Sequence, residues 1–189
     1  MRIEDIKKKL RQTLDPERYE HSLSTAQTAR QYAKLMKTDE NRAFVAGLVH
    51  DCAKYLSPEK LLSEANRYNL VVDEIQKKSP HLLHAPLSAV YAQKFYEIND
   101  EGILTAVAFH TTGRADMSLL EKVVFTADLL EPLREYDDVD DIRKIAEKDF
   151  DMAVLLTLEA VIRSILRKKQ LIHPDTIFAY NSMIGQFAE

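Results

Sequence analysis

Apolar side chains recur every three or four residues along nearly the whole chain, the spacing of helices that bury one face. Ile3, Ile6, Leu10 and Leu14 form the first stripe. Asp15-Pro16 then offers a capping carboxylate and a proline where its missing N–H is harmless, so a second helix starts there and turns Tyr19, Leu23, Ala26, Ala33 and Met36 inward. The pattern predicts a third helix over about 40–53, with His50 and Asp51 near its end. Ser57-Pro58 repeats the cap-plus-proline start. Pro80 and Pro86 bracket the beginning of a helix through Tyr91 and Phe95, and another runs over about 102–110 until the turn Thr111-Thr112-Gly113. Ser118 and Glu121 have capping-box spacing and predict a helix to about 130, with Asp128 on its last turns. Further helices follow, one over about 152–166, and Asp175 is read as the cap of the last. Val71-Val72 is too short for a strand, and no alternating run is bounded by hairpin turns. The fold class is all-α.

The 189 residues suit one domain, with a core over about 16–135 and C-terminal helices over about 139–187 completing it. Those last helices are apolar enough either to finish that core or to offer a homodimer face. Four glycines and six prolines leave no room for a linker. A net charge of -4 without a basic stripe argues against a nucleic-acid polymer as partner. No apolar run approaches membrane-spanning length and the first residues lack a leader's hydrophobic stretch, so neither a membrane nor export is expected. The single Cys52 excludes an internal disulfide and suits a reducing cytoplasm; it is read as a small buried hydrophobe.

The chemistry concentrates in a few polar residues beside apolar faces. His50-Asp51 is accompanied by His21 upstream, by His84 and His110 downstream, and by Asp128 in the run Phe125-Thr126-Ala127-Asp128. Imidazole and carboxylate donors without thiolates are the set that holds iron, manganese and similar ions. His21, His50, Asp51 and Asp128 fill four positions of an octahedral shell and leave room for water and a substrate oxygen. Lys54 lies four residues past His50 and Arg18 three before His21, so both share a helix face with a ligand and can clamp phosphate. The residues alone thus point to a metal-dependent hydrolase of phosphate esters or anhydrides. Elsewhere the readings are plain: Lys7-Lys8-Lys9 is a solvated face, Tyr19, Tyr91, Phe95, Phe109 and Phe125 are core, and His81 lies in a loop.

The string Gly47-Leu48-Val49-His50-Asp51-Cys52-Ala53-Lys54 resembles the signature of HD-domain phosphohydrolases. The segments Arg18-Tyr19-Glu20-His21-Ser22, Leu83-His84-Ala85-Pro86, Phe109-His110-Thr111-Thr112-Gly113-Arg114 and Ala127-Asp128-Leu129-Leu130-Glu131-Pro132-Leu133-Arg134 narrow it. Together they resemble the YqeK-like bacterial branch, symmetrical diadenosine tetraphosphate hydrolases that release two ADP.

That resemblance implies an HD-type helical bundle and an iron-type ion on His21, His50, Asp51 and Asp128. It implies nucleotide contacts from Arg18, Lys54, His84, His110, Thr111 and Arg134, and from the stretch Gln170, Leu171, Ile172, His173, Pro174, Asp175 and Thr176. His173 departs from the apolar or aromatic residue expected at its position. Asp51, Lys54, His84 and His110 are the catalytic candidates. His84 and His110 either contact phosphate, with one as general acid, or hold a second ion. Other HD-type nucleotide phosphohydrolases or phosphodiesterases, and a sensor that binds without turnover, are the competing functions.

Overall fold

The computed structural model describes residues 1–187, in which eleven α-helices and one 3-10 helix form the fold and no strand occurs. In order they are α1 (Ile3–Thr13), α2 (Pro16–Leu35), α3 (Glu40–Val49), α4 (Pro58–Arg67), α5 (Glu74–Lys78), a 3-10 turn (Pro80–Leu83), α6 (His84–Tyr96), α7 (Glu101–Phe109), α8 (Leu119–Leu130), α9 (Val139–Ala146), α10 (Phe150–Arg167) and α11 (Pro174–Ile184). Asp15, Ser57 and Ser118 cap the helices that they precede, and Ser118 and Glu121 close a reciprocal capping box.

The long helix α2 is the spine, packed along α3 on one side and α8 on another. Its residues Tyr19 and Ala26 face a first apolar cluster built with α1, α3, α4, α6 and α7. Ala29, Tyr32 and Ala33 face a second cluster, which α8 and the C-terminal helices α9 to α11 complete. The apolar C-terminal stretch is therefore core on its inner side, with Phe150, Val154 and Leu158 buried. Each Leu buried as fully as Leu48, Leu87 and Leu158 contributes about 1.5–3 kcal/mol. A Cβ on Gly47 would stand 2.9 Å from Ala26 Cα, so only glycine allows α3 to approach α2 so closely.

Three expectations change. The third helix stops at Val49: His50 is its C-cap, and residues 51–55 form successive turns. Cys52 N and Lys54 N bond to the carbonyls three residues back, and Ala53 N donates to Ser88 Oγ on α6 (3.0 Å) instead of continuing the helix ladder. Asp51 and Lys54 thus sit on a turn, not a helix face. The cap of α11 is His173, whose Nδ1 accepts from Asp175 N, because Pro174 occupies the first helical position and fixes the cap one residue earlier. Phe95 is 40% exposed, set edge-on against Tyr91 with Lys9 over its ring. The pattern also gave no sign of α5, a single turn held by a capping box between Asp73 and Gln76. No helix of the described residues is long and apolar enough to cross a membrane.

Candidate metal centre and active site

Four buried histidines converge from four parts of the bundle. His21 comes from α2, His50 and His110 are the C-caps of α3 and α7, and His84 opens α6. Each ring is held at Nδ1. His50 donates to the Gly47 carbonyl (2.6 Å) and His110 to the Val107 carbonyl (2.8 Å), each three residues back. His84 donates in the same way to the His81 carbonyl. His21 Nδ1 faces a carboxylate instead, Glu131 Oε1 at 3.0 Å. These bonds fix the tautomers, because a neutral ring that donates from Nδ1 presents a lone pair at Nε2.

All four Nε2 atoms point at one another and at two aspartates. His21 Nε2 is 3.2 Å from His50 Nε2, and His84 Nε2 is 3.1 Å from His110 Nε2. Asp128 Oδ1 lies 3.0 Å from His21 Nε2 and 3.6 Å from His50 Nε2. Asp51 Oδ2 lies 3.6 Å from His50 Nε2 and 3.9 Å from His21 Nε2, while Asp51 Oδ1 faces His84 and His110 at 3.2 and 3.4 Å. That Oδ1 is buried and makes no hydrogen bond. Opposed lone pairs flanked by buried carboxylates repel unless a cation lies among them. The donors His21, His50 and Asp51, like His50, His110 and Asp128, reach within 4.8 Å of one another. The residues therefore fit a divalent metal site, and Asp51, His84 and His110 make a further triad on its other side.

The electrostatics agree. Burial would raise the Asp51 carboxyl, yet His50, His110 and His84 hold it well below the usual range. Asp128 is likewise pulled well down by His21, His50 and Arg134 against burial. Burial pushes His50 down. It pushes His84 down to about 4, with the Lys54 ammonium adding to the effect. His21 is raised, because Asp128 and Glu131 outweigh its burial.

Asp51, His84, His110 and Asp128 of the cluster line the floor of a cavity of about 660 Å³, while His21 and His50 stand outside its lining. Three cations stand around that floor. Arg18 Nη1 is 2.8 Å from Asp51 Oδ2, Arg134 Nη2 is 2.6 Å from Asp128 Oδ1, and Lys54 Nζ is 3.0 Å from His84 Nε2. Thr111 Oγ1 lies 3.1 Å from the same Nε2. Of the stretch 170–176, Gln170, His173 and Thr176 line the cavity, while Leu171, Ile172, Pro174 and Asp175 stand outside the lining. His81, read as a loop residue, lies instead in the 3-10 turn and lines the cavity. The far wall is one face of α10, including Thr157, Ala160, Val161 and Ser164.

Two site residues lay outside the sequence reading. Glu131, 1% exposed, orients His21 and also accepts from Leu133 N. Its signal was present: an acidic residue at the C-cap of α8 opposes the helix dipole and needs another reason to be there. Arg143 on α9 donates to the carbonyls of Leu130, Glu131 and Arg134 and so holds the turn that bears Glu131 and Arg134. No local pattern marks it.

A helical bundle whose buried His/Asp cluster forms the floor of a cation-lined cavity is a metal-dependent phosphohydrolase in class. The HD domain family profile matches residues 18–133, and the chain belongs to the HD domain family. It is 38% identical over 171 residues to a symmetrical bis(5'-nucleosyl)-tetraphosphatase of Halalkalibacterium halodurans, covering 90% of this chain and 91% of that one. A protein of the same name from Bacillus subtilis is 34% identical over 176 residues, 93% of this chain and 94% of its own. A solved structure from Clostridium acetobutylicum, described as an HD superfamily hydrolase involved in NAD metabolism, superposes with a TM-score of 0.94 at 37% identity over 98% of both chains.

Proposed function

We propose that this protein hydrolyses dinucleoside tetraphosphates symmetrically, diadenosine tetraphosphate foremost, releasing two ADP. The observation that carries the reading is the His/Asp cluster with Arg18, Lys54 and Arg134 around it at the bottom of one cavity, a floor that suits a polyphosphate chain. The names of the full-length relatives supply the substrate class. The unpaired, buried Cys52 fits a reducing compartment, the cytoplasm.

His21, His50, Asp51 and Asp128 would hold the ion, iron in first place or manganese or another divalent metal. Bound there, it supplies Lewis acidity and lowers the pKa of a water. Arg18 and Arg134 bind non-bridging phosphate oxygens and orient the anhydride. Asp51 and Asp128 stay ionised, and either accepts a hydrogen bond from the attacking water. His84, kept neutral by its burial and by the Lys54 ammonium, donates from Nδ1 to the His81 carbonyl and offers Nε2 as an acceptor to Thr111, so it has no proton to give the leaving group. Proton delivery to the departing ADP oxygen then falls to the ammonium of Lys54, itself pulled below the ordinary lysine range by burial, or to His110 in its doubly protonated form, because the neutral ring spends its proton on the Val107 carbonyl. The triad Asp51, His84 and His110 favours one competing assignment, a second ion sharing Asp51. Metal content of a His84→Ala/His110→Ala variant decides between them, since the one-ion assignment keeps it unchanged.

The test is chromatographic product analysis with diadenosine tetraphosphate, beside an Asp51→Ala control. ADP as sole product, lost in the variant, is the expected result; AMP with ATP overturns the symmetrical cut.

A further inference from the structure

A dinucleoside tetraphosphate has two identical halves, whereas the protein around the cluster has no two-fold axis. With the central anhydride at the cluster, its two nucleosides must meet different walls. The main cavity offers one wall through Gln170, His173 and Thr176. A smaller cleft of about 240 Å³ opens beside it and shares Tyr136, Ala160, Ser164 and Lys168 with its lining.

That cleft has the chemistry of a nucleoside site more than that of a phosphate site. Ala160, Arg163, Ser164 and Arg167 follow one another at helical spacing on a single face of α10. Tyr136 forms the opposite wall, and its hydroxyl is buried without a partner. Arg163 faces Asp138 at 3.7 Å and Arg167 faces Asp137 at 3.1 Å. All four side chains of these pairs are at least 49% exposed, so the pairs hold little energy and yield readily to a ligand. The carboxylates oppose phosphate at the outer end but accept hydrogen bonds from ribose hydroxyls. Guanidinium planes and a tyrosine ring stack on a purine. Lys168, at the junction with the main cavity, is placed to meet the phosphates that lead there.

We propose that this side cleft is the subsite for the second nucleoside, on the half of the substrate that departs, with Tyr136, Arg163 and Arg167 as its contacts. The proposal rests on the dinucleoside tetraphosphate reading above. The probe that isolates it is adenosine 5'-tetraphosphate, which keeps four phosphates and lacks the second nucleoside. Its hydrolysis at the corresponding bond adds the water oxygen to phosphorus, breaks the bridge between the second and third phosphates, and yields ADP and pyrophosphate.

The variant is Arg163→Ala/Arg167→Ala, two exposed positions whose loss leaves the core intact. KM for diadenosine tetraphosphate should rise roughly fivefold with kcat unchanged, while KM for adenosine tetraphosphate stays put. A Tyr136→Leu variant should show the same substrate selectivity. Equal rises for both substrates mean general attraction of polyphosphate, and they overturn the subsite, as does no rise for either. Wild-type protein that releases no ADP from the dinucleotide overturns the functional reading together with the subsite.

Discussion

His173 Nε2 lies 2.6 Å from Asp73 Oδ2, across a hundred residues of chain. Both residues already serve as helix caps. Asp73 Oδ1 accepts from Ile75 N and Gln76 N at the start of α5, and His173 Nδ1 accepts from Asp175 N at the start of α11. Because Nδ1 is an acceptor, Nε2 carries the proton and donates to Asp73. One imidazole thereby ties the cavity wall formed by Gln170, His173 and Thr176 to the start of α5.

Cutting that tie should loosen substrate binding before it touches the chemistry. Asp73→Asn keeps an oxygen for the α5 cap but not the charge-assisted bond to His173. KM for the nucleotide substrate should rise roughly threefold with kcat unchanged, the effect of a partly exposed bond. Steady-state kinetics of the variant check it, and a fall in kcat at constant KM contradicts it.

Arg143 is the second positioning residue. Its guanidinium donates to the carbonyls of Leu130 (2.8 Å), Glu131 (2.7 Å) and Arg134 (3.0 Å) at the end of α8. Glu131 in turn orients His21, and Arg134 pairs with Asp128. Arg143→Ala should lower metal affinity about tenfold, as losing a group behind a ligand commonly does. Arg143→Lys should rescue little, because an ammonium cannot reach three carbonyls in a planar fork. Metal titration of both variants, with circular dichroism to show an intact fold, is the check.

What the sequence made legible follows from range. The caps Asp15, Ser57 and Ser118 act within three residues, so their helices could be placed from local pattern. The grouping of His21, His50, Asp51, His84, His110 and Asp128 was legible too, less from any single His or Asp, since a lone buried histidine is more often a hydrogen-bonded core residue, than from five short segments that resemble the HD-domain pattern in order. The end of α3 was not, since Ala53 N is captured by Ser88 from another helix. Arg143 and the Asp73–His173 tie were hidden for the same reason: each joins segments that only the folded bundle brings together.

Gly47 ties packing to chemistry. Its carbonyl accepts a hydrogen bond from His50 Nδ1, and its missing Cβ lets α3 lie against Ala26 and Thr25 of α2, the helix that carries His21. Gly47→Ala puts a methyl 2.9 Å from backbone that cannot give way. The variant should lose about 1–3 kcal/mol of stability, and His21 and His50 should be driven apart. Denaturant unfolding reads the first effect, and metal content of the still-folded protein reads the second.

Acid sensitivity has a source outside the cluster. Glu121 is 2% exposed and accepts from Arg114 Nη2 (2.9 Å) and from Ser118 N (2.8 Å). Burial alone would raise its carboxyl; the Arg114 and Ser118 bonds outweigh it and hold the native pKa below the unfolded value of 4.5. A group depressed in this way binds fewer protons when folded. Its contribution is therefore complete above the unfolded pKa and disappears as pH falls through the native one. Glu121→Gln should lose stability at neutral pH, because Arg114 is left without its carboxylate, and its melting temperature should fall less steeply than that of the wild type below pH 4.5. Thermal unfolding of both proteins across that acid range tests the sign, and parallel acid limbs would place the sensitivity elsewhere.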